Sequence, residues 1–237
     1  MAATRIALTT HDGVTVRGNQ TGRGDDWIIL VHGYQADLTV WRAAQRFLQR
    51  KNLTRLAINL RGHGTSEGPW NADRAAYDIE AAIDYARHQK AHSVFVLAEG
   101  QGATAALAAA DRRPPDGLIL LSPGPLAGRE AKQFRGNGVS KLFIVGSRRQ
   151  TAHDDTQALR RWSIGWAAAV YLPTEDQGSA LLSGASRSQT FDRIMGFLNE
   201  QRYLGKHDVE RGATDGRALS RQERALQERM LKRMLRR

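Results

Sequence analysis

Residues 94–110 read VFVLAEGQGATAALAAA. Apolar residues from Val94 to Leu97 run into Ala98-Glu99-Gly100-Gln101-Gly102, and an alanine-rich stretch follows. The pattern predicts a buried strand over 93–100, a tight turn at glycine, and a helix over 103–111. The strand shows no polar alternation. A strand of that kind belongs in a parallel sheet covered on both faces.

The same rhythm extends in both directions. Apolar runs at 27–33, 117–124, 141–147 and 167–173 read as strands, and 53–64 as a strand running into a glycine-rich loop. Stretches with helical spacing lie at 38–51, 73–89, 156–165 and 188–204, and Asp-Gly at 12–13 closes a hairpin over residues 4–18. The alternation predicts an α/β fold: a mostly parallel central sheet with an N-terminal hairpin, flanked by helices on both faces. The connections are short and leave no room for a large cap.

The chain has 237 residues, 41% of them hydrophobic, which suits one sizeable core. It has no cysteine. Disulfides, a thiol nucleophile and thiolate metal sites are therefore excluded, and no metal or cofactor is expected. The first residues carry no apolar leader and no run is long enough to span a bilayer, so a cytoplasmic protein is expected. The formal net charge is +11. Such a field favours anionic partners: nucleic acid, acidic lipid or an acidic protein face.

Four pieces together resemble the α/β-hydrolase superfamily in a compact, lidless form. His32-Gly33-Tyr34 at a strand end is similar to that family's oxyanion loop. NLRGHGTSEG (59–68) resembles its D-x-R-G-x-G-x-S loop, with Asn59 in place of the acid. The turn at 98–102 resembles its G-x-S-x-G nucleophile elbow. Gly146 and PTEDQGSALL (173–182) resemble the places of the acid and the histidine. The resemblance covers residues 1–204 and implies the fold. It does not fix the function.

The resemblance places the nucleophile at Gly100, the acid at Arg149 and the histidine at Gln177. Glycine has no attacking atom. Arginine has the wrong charge to orient an imidazole. Glutamine is no base at neutral pH. The three losses together imply a degenerate, pseudoenzyme-like triad. His32 is implied to be structural.

Alternatives stay open at this point. Glu99, beside the apex, is a candidate general base on water, or else a carboxylate held by an arginine or a backbone N–H. Ser179 with His153, Asp154 and Asp155 is a candidate displaced triad. The blander reading of 153–155 is the capping of a helix beginning near Thr156. His63 falls near the sheet's carboxyl edge. The GQG stretch lacks the spacing of a P-loop or a dinucleotide fingerprint. Backbone N–H groups of Tyr34 and Gln101 would remain as relic oxyanion donors. With Arg149 and Gln177 they are expected to line a crevice for a small anionic ligand.

Residues 205–218 read as a linker. Ser220-Arg221-Gln222-Glu223 forms a capping box, and 219–237 reads as a basic amphipathic helix with a net charge of +5, from seven Lys/Arg less two Glu. Leu226, Met230 and Met234 form its apolar stripe, flanked by Arg221 and Arg224. The expected role is docking on a protein partner or a second copy of the chain. An anionic membrane surface and nucleic acid are the other candidate partners. Three functions follow: a non-catalytic binding or assembly module, an esterase or thioesterase using Glu99 or a displaced triad, and a nucleic-acid-associated basic protein.

Overall fold

Every residue of four strands is buried in the computed structural model of this chain: β4 (Leu53–Ile58), β5 (Ser93–Glu99), β6 (Gly117–Pro123) and β7 (Lys141–Gly146). These are the unbroken apolar runs of the sequence, and helices flank the sheet they form. The structure describes residues 3–49, 51–124 and 138–210, the last six by backbone alone. The chain divides into two compact units, Met1–Thr190 and Phe191–Arg237. The whole sheet lies in the first.

Before β4 come β1 (Thr4–Thr9), β2 (Thr15–Thr21), β3 (Asp26–Val31) and α1 (Arg42–Leu48). After it come α2 (Ala75–His88), β5, α3 (Gly100–Arg112), β6, β7, α4 (Gln150–Trp162), β8 (Ala167–Leu172) and α5 (Arg187–Glu210). The sheet order is β1-β2-β4-β3-β5-β6-β7-β8. The β1–β2 hairpin and the β2–β4 pair are antiparallel, and all other pairs are parallel. The α/β architecture expected from the sequence is present. Trp27, Ile29 and Val31 of β3, with Val94, Val96 and Ala98 of β5, form one core with α2 and α3. The alanines of α3 let that helix approach the sheet closely. No described helix is long and apolar enough to cross a membrane.

The parallel register carries β3 and β5 to a shared carboxyl edge, with Val31 opposite Ala98. A buried ion-pair network holds the adjoining loop in place. Arg61 donates to Asp78 at 2.7 and 2.9 Å and to Asp12 at 2.7 and 3.0 Å. One guanidinium thus joins the hairpin turn, the 59–68 loop and α2. Arg61 holds the Asp12 carboxyl well below the usual carboxylate range.

Several boundaries differ from the sequence expectation, three of them with consequences for the site or the tail. Helix α4 begins at Gln150, not near Thr156, so His153, Asp154 and Asp155 lie inside it and Arg149 is its N-cap. The reason is tertiary. Ser147 N–H donates to Leu172 O at 2.7 Å and Arg148 N–H to Thr174 O at 3.2 Å, which holds the chain extended until 149. Helix α3 starts at Gly100, three residues early. Helix α5 runs to Glu210, through six residues of the expected linker. The rest of that linker and the basic helix 219–237 lie outside the described residues.

Replacing Arg61 by Met leaves Asp78 buried without its partner. We expect a loss of about 3–5 kcal/mol in urea unfolding. A loss below about 1 kcal/mol would place the pair among weak surface ion pairs.

Candidate functional site

The apex is Gly100, at φ +54°, between extended Glu99 and the first turn of α3. Gly124 N–H donates to Gly100 O at 2.7 Å, which ties the turn to the end of β6. A Cβ at Gly102 would overlap His32 O, so α3 packs against the end of β3 only because 102 is glycine. At Gly100 the situation is different. A Cβ there would meet only Gly33 Cα, at an ordinary 3.6 Å. Glycine relieves a left-handed backbone that costs other residues about 1–2 kcal/mol. It is not required by lack of room.

Glu99 is 8% exposed. One carboxylate oxygen accepts the Gly33 N–H at 3.4 Å, and the other accepts the Ser179 N–H. A Cβ on Gly178, at φ +55°, would collide with that second oxygen. The carboxylate therefore bridges the loop after β3 and the 3-10 turn Gly178–Leu182. Two backbone N–H groups thus hold the Glu99 carboxylate. Beside it, Ser122 stands at φ +43° and accepts the Gly178 N–H at 3.1 Å. The sequence reading missed Ser122, although Ser122-Pro123-Gly124 is a turn signal.

The other expected site residues do not converge on the apex. Gln177 turns its amide onto the end of β7, donating to Gly146 O at 2.8 Å, and its buried Oε1 has no partner. Gly146 admits this contact, since a Cβ there would lie 2.6 Å from Gln177 Nε2. Arg149 is exposed at the start of α4. Gln177 is therefore engaged by backbone where an open crevice lining was expected. Tyr34 is 47% exposed, its ring 5.3 Å from Trp70 and 5.7 Å from His63. Among the described residues, the N–H groups of Tyr34 and Gln101 have no acceptor.

The displaced triad does not assemble. His153 lies 3.1 Å from its neighbour Asp154 with its ring tilted beside Tyr171, and Ser179 is held through its backbone. His32 is fully buried. Its Nε2 accepts the Leu60 N–H at 3.0 Å and its Nδ1 donates to Gly33 O at 2.7 Å. His63 likewise spends one nitrogen on the Gln35 N–H, at 3.1 Å, and the other on Arg61 O, at 3.0 Å. Among the described residues, no serine hydroxyl meets an imidazole, and no three His, Asp or Glu gather to hold a metal ion. Residues 125–137, which follow Gly124, contain no Ser, Thr, Cys or His.

The model of the family described as serine aminopeptidase, S33, matches residues 23–161. No curated protein matches the chain. Among solved structures, the α/β-hydrolase GrgF from Penicillium sp. sh18 superposes with a TM-score of 0.72 at 14% identity, covering 85% of this chain and 99% of that one. The Pyrococcus furiosus esterase Pf2001 gives 0.69 at 16%, covering 84% and 92%. A thermophilic esterase from Thermogutta terrifontis gives 0.65 at 19%, covering 84% and 99%. Identities this low show a shared fold.

Two measurements probe this edge. Removing Glu99 as Ala leaves two backbone N–H groups short of acceptors, with an expected loss of about 2–4 kcal/mol in urea unfolding. Glu99→Gln, which keeps one acceptor oxygen, should lose less, and equal losses would remove the bridge from the account. Burial pushes His32 down from 6.5 to about 4. Its neutral form contributes stability above pH 6.5 that is lost as pH falls toward 4, about 3 kcal/mol when complete. The stability gap between wild type and His32→Gln should therefore narrow over that window. A constant gap would contradict the assignment.

Proposed function

We propose that this chain, which belongs to the serine aminopeptidase S33 family of α/β-hydrolases, is a non-catalytic member that keeps the scaffold as a binding or assembly module. The observation that carries this reading is the apex. Gly100 holds the left-handed turn of a nucleophile elbow, with space for a side chain and none present. The surroundings support it. Both imidazoles near the edge, His32 and His63, have their ring nitrogens committed to backbone. Gln177 is committed to Gly146, and Arg149 lies at the surface.

What such a module offers a partner follows from what is left unsatisfied. The Gln101 amide at the start of α3 and the Tyr34 amide in the loop after β3 suit a carboxylate or another small anion held without reaction. The basic stretch 219–237 supplies attachment: Leu226, Met230 and Met234 toward an apolar groove on a protein partner or a second copy, Arg221 and Arg224 toward its acidic rim. Binding to an anionic membrane or to nucleic acid instead would show as steep weakening with salt.

Family membership favours one rival, an esterase-like activity that uses Glu99 to activate water. A panel of aryl and alkyl esters and thioesters separates the two. The full chain should show no turnover above a heat-denatured control. Gly100→Ser should fold and still show none, because a hydroxyl without a base gains nothing at neutral pH. Wild-type turnover that Glu99→Gln abolishes would overturn the proposal, and so would turnover restored by Gly100→Ser alone.

A further inference from the structure

Four arginines line one concavity with no carboxylate among its described walls. Arg23 follows β2, Arg42 and Arg46 lie one helical turn apart on α1, and Arg55 sits in the middle of β4. They enclose about 530 Å³ together with Thr21, Gly22 and a few amide side chains. The other buried arginine of the first unit, Arg61, has Asp12 and Asp78, and even the exposed Arg112 and Arg113 have Glu80 and Asp84. Among the described residues, none of these four forms an ion pair.

Arg55 is the unusual member. It is 5% exposed, and the bond drawn by its side chain is from Nε to the Thr21 hydroxyl at 3.0 Å. A strand position that alternates with Leu56 and Thr54 points it to the face that carries α1, where an aliphatic residue would otherwise sit. Burial lowers its affinity for the proton, with no anion to offset the cost. A desolvated guanidinium without a counter-charge is costly to keep, and its planar fork matches the oxygens of a phosphoryl group. The rim adds to that cost. Arg42 and Arg46 are like charges at i,i+4, a spacing that destabilises a helix. Arg42 also feels Asp37, but that carboxylate is already engaged by the Thr39 N–H at 2.7 Å.

The mouth is kept open above Arg55. Gly22 has φ +87°, and a Cβ there would lie 3.4 Å from Arg55 Nη2 and overlap Leu53 O. A side chain at 22 would cover the guanidinium. The groove is also distinct from the cleft at the apex. Arg55 is level with Ile28 and Phe95 across the sheet. That puts it five residues, about 16 Å, before Gly100 along the strand direction.

We infer that this groove is an anion site for a small phosphorylated molecule, with the phosphoryl group seated on Arg55 at the floor and on Arg23, Arg42 and Arg46 at the rim. A small ligand is favoured over a nucleic-acid duplex by shape: the charge that lacks a partner lies at the bottom of a concavity, below the reach of a convex duplex backbone. The site does not depend on whether the apex is catalytic.

Titration calorimetry of the full chain at low ionic strength tests it, with inorganic pyrophosphate as the probe and inorganic phosphate, ADP and a short DNA duplex in parallel. Pyrophosphate should bind with one-to-one stoichiometry. Arg42→Ala/Arg46→Ala, which changes only exposed side chains, should weaken it about tenfold or more. Arg55→Met should do the same if it folds. Arg160→Ala/Arg161→Ala, the same charge change on exposed α4, should leave the affinity within about twofold. Tighter binding of ADP than of pyrophosphate would indicate a nucleotide, and equal binding the phosphoryl group alone, both in keeping with the site. The inference is overturned if wild type fails to bind the phosphorylated probes, if all variants bind alike, or if only the duplex binds and the rim variant leaves that unchanged.

Discussion

The carboxylate of Glu99 is the fixed point of the carboxyl edge. It takes one N–H from the loop after β3 and one from the turn after β8, so two loops far apart in sequence meet through one buried side chain. Ser122 reinforces the second contact from β6. In a working hydrolase of this architecture, a hydrogen-bonded chain from nucleophile to histidine to acid would link such loops. Here, among the described residues, the Glu99 carboxylate does so. Glycine at 178 and 102 makes the close approaches possible, each where a Cβ would strike an oxygen.

At Gly100 a left-handed turn stands beside space next to Gly33 that a Cβ could occupy. Glycine there avoids the strain a serine would carry. The edge keeps another strained residue instead: Ser122, whose positive φ is offset by the bond its hydroxyl accepts from Gly178.

Much of the fold was legible because its strands are unbroken apolar runs, which only a doubly covered sheet accommodates. The N-terminal hairpin was announced by Asp12-Gly13. The start of α4 was not legible. Asp154 and Asp155 look like a cap, but backbone bonds from Ser147 and Arg148 to the end of β8 decide where the helix begins, and those are tertiary. The turn at Gly100 was legible, because a glycine between an apolar run and an alanine-rich stretch marks a tight reversal. The site was less legible at Gln177, whose amide is claimed by a carbonyl 31 positions away. Arg55 was invisible for a related reason: within LTRLAI it passes for an interruption of an apolar run. Only the approach of α1 and β2 gives it arginine neighbours and no acid.

The central claim is that no activated nucleophile stands in this cleft. Intact-mass spectrometry of the native full chain after incubation with a fluorophosphonate probe tests it most directly. The account predicts an unshifted mass, with an active serine esterase fully labelled in the same tube. A stoichiometric adduct that maps to any serine of this chain, and that is lost on denaturation before labelling, would contradict it.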